Sequence, residues 1–391
     1  MKKLRIAFFG GTFVHQKIKK KCENLGAKCF LLDKNSTCFA SKDKNFFNID
    51  FNNVKKTYKF LKFQKINFLY ISQSDVGIIS IAKLNKLLNL PGTKLSVAKR
   101  LTNKYQIRKV LKKNGFFQPR FFYVRQNTLS KKNIKQGNFL MKPVDSSGSR
   151  GIYDIDNNSN ILKLYKKSLK FSKRKKIIIE EKINGLEFGA QTFSVRGKCK
   201  TVILHEDIMS QKNSKIPVGH IMPAKIFRLH EEKKIITNLK KAINVLGVKN
   251  GPCNVDCIYT NDGKLFILEV SPRIGATCLP NMLEIFTKVD WDLNTIKLFN
   301  GMRVKSIKKS RINVISRVFE SQKSGYVKNV KIEKKIPRSK VELLLKNKNK
   351  IEKFTDGTKL FGYIVAYSKK RQYLISSVIK VLKSIKINFK K

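Results

Sequence analysis

Acid is what this sequence has least of for its size. Across 391 residues, 84 lysines and arginines stand against 26 aspartates and glutamates, a formal net charge of +58. Histidine occurs four times and tryptophan once. Seven cysteines (Cys22, Cys29, Cys38, Cys199, Cys253, Cys257, Cys278) form no C-x-x-C pair, which removes the common zinc modules and thioredoxin-like redox motifs. Cys253 and Cys257 lie four apart in an apolar segment, where buried thiols are the expected reading over a zinc pair. An odd cysteine count fits a reducing, cytoplasmic setting. No apolar run approaches the ~18 residues of a membrane-spanning helix. The basic opening Met1-Lys-Lys-Leu-Arg-Ile-Ala-Phe-Phe-Gly-Gly11 has too short an apolar run for a secretory signal. The phosphate-binding order G-x-x-x-x-G-K-[ST] is missing. So is G-x-G-x-x-G, which excludes the usual dinucleotide fingerprint at Gly10-Gly11.

The excess of positive charge admits two readings. One is a nucleic-acid or anionic-membrane partner, and the other is a lysine-rich solvated surface. The basic residues run along the whole chain and no nucleic-acid motif accompanies them, so the second is expected. A basic nucleic-acid-binding protein remains the rival from outside the enzymes. With 41% hydrophobic and 28% charged residues, the chain reads as globular, and its length suggests two or three domains.

What is present is an alternation of apolar runs and helical stretches. Residues 4–9, 27–32 and 67–72 read as strands of a small parallel sheet, with a helix ending near Leu25-Gly26. Residues 96–114 read as one helix stopped by Gly115. Strands are expected at 139–142 and 176–180, with a helix near 161–171 between them. From Glu187 to Pro272 the pattern is mainly strands, with one helix over 231–246. The tail reads as strands with turns at Gly325 and Asp356-Gly357, an exposed loop over 346–350, and a last helix over 374–385.

Three segments carry chemistry. Glu269-Val-Ser-Pro-Arg273 ends an apolar strand, and the turn Asn261-Asp262-Gly263 joins that strand to another holding Asp256. Asp256 and Glu269 can therefore face each other. Opposed carboxylates suit a hard oxygen-loving ion such as Mg2+, bridged by nucleotide phosphates. Arg273 can hold a transferring phosphoryl group by charge-assisted hydrogen bonds. The second segment is Lys142-Pro-Val-Asp-Ser-Ser-Gly-Ser-Arg-Gly151, where Ser146, Ser147, Gly148 and Ser149 make a small-residue loop able to fold its N–H groups over phosphates, or an ordinary hairpin turn. The third is Ile177-Ile-Ile-Glu-Glu-Lys-Ile-Asn-Gly-Leu-Glu187. Its strand end can offer an adenine edge its main chain, or can simply turn with its acids facing water.

The order of these segments, with a lysine at 104 before them, resembles the ATP-grasp superfamily. That group includes biotin carboxylase, D-alanine–D-alanine ligase, carbamoyl phosphate synthetase and bacterial L-amino acid ligases. The resemblance covers nearly the whole chain. It implies a mixed α/β and α+β fold: a Rossmann-like domain over 1–95, a two-part ATP-grasp domain over 96–301 with a lid subdomain at about 115–182, and a small, mainly β C-terminal α+β domain over 302–391. It implies that Lys104 and Lys142 contact ATP phosphates and that residues 146–151 form the phosphate lid. Glu180, Glu181 and the main chain near Lys182 and Ile183 would hold adenine, and Glu187 the ribose. Asp256 and Glu269 would bind Mg2+, one or two ions, with Mn2+ as an alternative. Arg273 would steady an acyl-phosphate. The family's first metal acid is usually Glu, where this chain has Asp256, and its usual Asn is here Ser271, which puts occupancy of a second metal position in question. Val218-Gly-His220-Ile-Met-Pro223 resembles a Gly-His-x-x-Pro segment of the amino acid ligases, so His220 is a candidate substrate contact, as more weakly is Arg228.

The activity implied is an ATP-dependent, ADP-forming ligase that joins a small carboxylate to an amine through an acyl-phosphate. The alternative within the family is a bicarbonate-activating carboxylase of a purine intermediate. The implied partners are small-molecule substrates, and a homodimer is common in this branch.

Overall fold

Residues 5–9 alternate their side chains between two apolar surfaces, and that pattern sets the first sheet. In the computed structural model, which describes residues 3–125, 138–156, 159–210, 216–345, 350–355 and 359–390, Ile6 and Phe8 pack with Ile18, Cys22 and Phe68 on one side. Ala7 and Phe9 pack with Phe51, Leu61 and Leu84 on the other. A strand buried on both faces belongs in a helix-covered parallel sheet. Strands β1 (Arg5–Phe9), β2 (Lys28–Asp33), β3 (Phe46–Asn48) and β4 (Phe68–Tyr70) pair in parallel in the order β3-β2-β1-β4. Helices α1 (Phe13–Glu23), α2 (Val54–Phe63) and α3 (Ile78–Leu88) connect and follow them. The Gly10-Gly11 turn serves packing. A Cβ on Gly10 would lie 2.5 Å from the His15 ring, and the Gly11 N–H donates to the Asp33 carboxylate at 2.7 Å. The anion at this helix entrance is the protein's own.

The chain divides into two compact units. One comprises residues 1–92, 203–226 and 273–391, and the other residues 93–202 and 227–272. In the second unit, the single helix expected over 96–114 is two: α4 (Leu95–Leu101) and α5 (Lys104–Lys113). The break has a local cause. The Asn103 side chain accepts from the Gln106 N–H and starts a new helix, while the Lys104 N–H donates to the Val144 carbonyl. Strands β5 (Phe121–Val124), β6 (Phe139–Pro143), β7 (Tyr153–Ile155) and β8 (Ile177–Glu181) form an antiparallel sheet in the order β5-β8-β6-β7, covered by α6 (Ile161–Leu169). Strand β9 (Leu186–Val195) follows, and β10 (Lys198–Met209) begins in this unit and ends in the other.

Strand β11 (Pro217–Met222), in the first unit, is antiparallel to the end of β10. Back in the second unit come α7 (Leu229–Val245) and the hairpin β12 (Gly251–Tyr259) and β13 (Leu265–Ser271), with β12 between β9 and β13. The first unit resumes with α8 (Leu279–Thr287) and α9 (Trp291–Phe299), two helices that the periodicity had not marked. It continues with β14 (Asn313–Phe319), β15 (Gly325–Ile332), β16 (Ser339–Leu343), β17 (Lys350–Ile351), β18 (Gly362–Ser368), α10 (Arg371–Lys383) and β19 (Ile385–Phe389). Strands β11, β14, β18 and β16 are neighbours in that order, and β15 lies between β17 and β19.

Gly325 opens β15 and is no turn. Its missing side chain admits the Phe389 ring, 2.7 Å from where a Cβ would stand. Asp356-Gly357 and residues 346–349 lie outside the described residues, and Lys350 begins β17. No disulfide joins any of the seven cysteines, of which six are buried. Among the described residues no helix is long and apolar enough to cross a membrane.

Gly219 on β11 is tightly constrained. A Cβ there would fall 2.0 Å from the Ser316 carbonyl oxygen and 2.7 Å from Arg317 Cδ. Gly219→Ala is therefore expected to push β11 and β14 apart and to cost about 3 kcal/mol of stability, read as a lower urea midpoint.

Candidate active site

The cation of Lys104 stands at the first residue of α5, where the helix dipole disfavours positive charge. Two acceptors offset this: Glu269 Oε2 lies 2.9 Å from the ammonium, and the Ser146 carbonyl accepts from it at 2.5 Å. One turn later, the guanidinium of Arg108 has no exposed surface. It donates to both oxygens of Glu180 at 3.2 and 3.3 Å and to the Ile267 carbonyl at 2.6 Å. Lys142 on β6 is a diagonal cross-strand neighbour of Glu180 on β8, and its ammonium is ion-paired with the same carboxylate. Burial by itself would raise the Glu180 carboxyl, but Arg108 and Lys142 overcome it and hold the group at about 2, below the usual 4.5. Burial draws the Lys142 ammonium below its usual range, against the pull of Glu180 and with help from Arg108 and Lys104.

The hairpin places the acids as its spacing predicts. Asp256 pairs directly with Glu269, and Asn254 with Ser271. Residues two apart on a strand share a face, so four oxygen-bearing side chains lie together. Sequence reasoning overlooked Asn254. Its Nδ2 donates to Asp256 Oδ1 at 2.9 Å, and its Oδ1 accepts from Gln191 Nε2 at 2.6 Å. Standing two residues before Asp256 was the available signal. Asn254 sets a carboxamide directly opposite Ser271, where this chain has a hydroxyl in place of the expected amide. Two carboxylates, an amide and a hydroxyl are a hard-oxygen donor set, which fits Mg2+, and the Lys104 ammonium against Glu269 shows that this carboxylate accepts a cation.

The remaining candidates of this unit are more dispersed. Ser146 and Ser147 are half-buried, while Gly148 and Ser149 are exposed and adopt positive φ, at 64° and 56°. Arg150 donates back to the Ser147 carbonyl at 3.1 Å. The Glu181 N–H is bonded to the Arg120 carbonyl and that of Lys182 to the Asn138 carbonyl. The Lys182 ammonium pairs with Asp154 at 2.6 Å. Ile183 is half-buried and Glu187 is exposed. Arg228 is exposed and serves as the N-cap of α7, its N–H donating to Glu231 at 2.8 Å.

In the first unit, Arg273 is clamped by Asp75, with Nε–Oδ1 at 3.0 Å and Nη2–Oδ2 at 2.6 Å. Nothing in the sequence pairs Asp75 with a residue 198 positions away. His220 on β11 stands directly opposite Asp207 on β10. Asp207 Oδ1 is 2.7 Å from His220 Nδ1 and 3.0 Å from His205 Nδ1. Burial would raise the Asp207 carboxyl, but the two imidazoles hold it well below the usual range. Burial lowers His205. The His220 N–H donates to Ser316 Oγ at 3.1 Å. Arg317, next along β14 and in register with Gly219, is another polar residue that the motifs did not reveal.

Comparison with known proteins places this geometry. Residues 135–281 match the family model described as an ATP-grasp domain. Solved structures of the same fold include phosphoribosylglycinamide synthetase from Anaerococcus prevotii (23% identity, TM-score 0.80, covering 99% of this chain and 100% of that one). They also include L-amino acid ligase from Bacillus licheniformis (18%, 0.78, all of both chains). A third is the biotin carboxylase domain of the Hydrogenobacter thermophilus 2-oxoglutarate carboxylase (15%, 0.82, 99% and 91%), described with magnesium ADP and bicarbonate. At these identities the likeness is one of fold. None of the curated proteins matches the sequence.

Because the folded Glu180 carboxyl lies below its ordinary value, its contribution to stability is complete above about pH 4.5 and is lost as pH falls toward about 2. Glu180→Gln is expected to cost about 3 kcal/mol at neutral pH. In urea unfolding followed across pH, the gap between the two proteins should close on acidification.

Proposed function

From the premise that this chain carries an ATP-grasp domain on an ATP-grasp fold, we propose that it is an ATP-dependent, ADP-forming ligase that joins a carboxylate to an amine. The observation that carries the reading is the meeting of Lys104 with Glu269, itself in register with Asp256, beside a buried Lys142. Cations and a metal-competent acid pair in one place are what triphosphate handling requires.

A carboxylate does not condense with an amine at neutral pH without a better leaving group. Transfer of the γ-phosphoryl of ATP to the carboxylate oxygen gives an acyl-phosphate. The amine then attacks its carbonyl carbon, and phosphate leaves with the C–O bonding pair. Lys104 and Lys142 neutralise phosphate oxygens, and the 146–151 loop covers them. Such positioning and charge compensation is most of what phosphoryl transfer needs from a protein. Asp256 and Glu269, with Asn254 and Ser271 on the same face, would hold Mg2+, which supplies charge neutralisation at the phosphates when bound. The resemblance assigns adenine to the strand end at 180–183 and the ribose to Glu187. The Glu180 carboxylate is taken by Arg108 and Lys142 and its main chain is paired between β5 and β6, so the strand end beyond it, toward Ile183, is the part left for a nucleotide. Arg273 is assigned to the acyl-phosphate and His220 to an amino-acid-like substrate. A cytoplasmic protein with small-molecule substrates, and a homodimer, complete the reading.

Hydroxylamine tests it, because it intercepts acyl-phosphates as hydroxamates. The ligase reading expects carboxylate-dependent ADP and hydroxamate from some member of an amino acid panel. ADP release only with bicarbonate and aminoimidazole ribonucleotide would favour the carboxylase. Retention on heparin with no turnover would favour nucleic-acid binding. Within the ligase reading, Glu269→Gln and Arg273→Ala should each lower ADP release by about 100-fold or more while far-UV circular dichroism is unchanged. Wild-type turnover in either variant contradicts the assignment.

A further inference from the structure

His205 and Asp207 are two apart on β10, so their side chains leave the same face, and His220 stands directly across on β11. Two residues at i and i+2 of one strand and a third opposite them place three donor atoms in a triangle on rigid backbone. One ring nitrogen of each histidine and one oxygen of Asp207 lie within 4.8 Å of one another. The two rings meet edge to face, with centroids 4.8 Å apart. Both histidines are almost completely buried, at 2% and 5% exposure, whereas the Asp207 side chain is 23% exposed and gives the cluster an open side.

Among the described residues, His220 Nε2 is buried and has no hydrogen-bond partner. A buried polar atom left unsatisfied costs about 1–3 kcal/mol, so the ring's polar contacts rest on Nδ1, the atom that faces Asp207 and His205. We propose that His205, Asp207 and His220 form a binding site for a divalent transition-metal ion, with Zn2+ as its occupant. Metal–ligand bonds of about 2.0–2.2 Å in a tetrahedral site set ligand atoms roughly 3.3–3.5 Å apart. The observed O···N separations of 2.7 and 3.0 Å therefore need to widen by about half an ångström. Two imidazole nitrogens and one carboxylate oxygen select Zn2+, Co2+ or Ni2+ over Mg2+, which distinguishes this cluster from the all-oxygen face at Asp256 and Glu269. The site lies within one compact unit. A metal there takes His220 in place of the amino-acid contact assigned above, and because binding is measured without turnover, failure of this proposal leaves the ligase reading standing.

The test uses the full chain stripped with a chelator. Zn2+ is titrated in competition with a chromophoric chelator, and Co2+ is added separately as a spectroscopic probe. The wild type is expected to take one equivalent of Zn2+, and His205→Gln and Asp207→Asn to bind about 100-fold more weakly. Bound Co2+ should show visible bands of a nitrogen and oxygen site without the near-ultraviolet absorption of a thiolate ligand. Wild-type binding no tighter than that of a His205→Gln/His220→Gln double variant overturns the proposal. So does a Co2+ spectrum dominated by thiolate. Because the wild-type stoichiometry and spectrum decide by themselves, poor folding of a variant does not shield the proposal.

Discussion

One buried carboxylate organises the second compact unit of this protein. Glu180 is held by Arg108 from α5 and Lys142 from β6, while Arg108 also reaches the main chain of β13 at Ile267. A buried charge is costly unless paired, and a pair broken on one side is costlier still. The four elements are therefore bound to one arrangement. That arrangement sets Lys104 one turn ahead of Arg108, against Glu269 a short step along β13. Of the two cations proposed for the triphosphate, Lys142 is thus a member of this ion cluster and Lys104 takes its place from the helix the cluster anchors.

Acid is scarce here, and the positions where it is buried or half-buried are correspondingly informative. Glu180 balances two cations. Asp256 and Glu269 face each other on a hairpin. Asp75 closes a fork-to-fork contact on Arg273, and Asp207 accepts from two imidazoles. Against a surface of lysine, each of these carboxylates keeps a defined partner at short range. Bidentate geometry of the Asp75–Arg273 kind fixes orientation as well as charge. The same economy separates two donor sets by chemistry: hard oxygens on β12 and β13, mixed nitrogen and oxygen on β10 and β11.

Much of this was legible in the sequence where the signal was local. The Asn261-Asp262-Gly263 turn fixed the hairpin register, and with it the facing of Asp256 and Glu269. The apolar runs marked β1, β2, β6 and β8, and the ordered motifs pointed to the ATP-grasp fold that the comparisons bear out. What depended on distant contacts was not legible. The break between α4 and α5 comes from a side-chain cap at Asn103 together with a main-chain bond to Val144, 40 residues on. Arg108 lies in a lysine-rich helix with no motif to mark it, and only its burial against Glu180 sets it apart. Gly325 carries a turn residue's signature, yet a strand uses it to seat Phe389. Propensity reports the chain's local preferences, and these sites are settled by tertiary partners.

The central claim is that a carboxylate is activated by direct phosphoryl transfer. It is tested most directly by following the oxygen. With a carboxylate substrate labelled with 18O and accepted by the enzyme, one labelled oxygen per turnover should appear in the released inorganic phosphate, alongside ADP. Turnover that leaves the phosphate unlabelled, or that releases AMP and pyrophosphate, would contradict it.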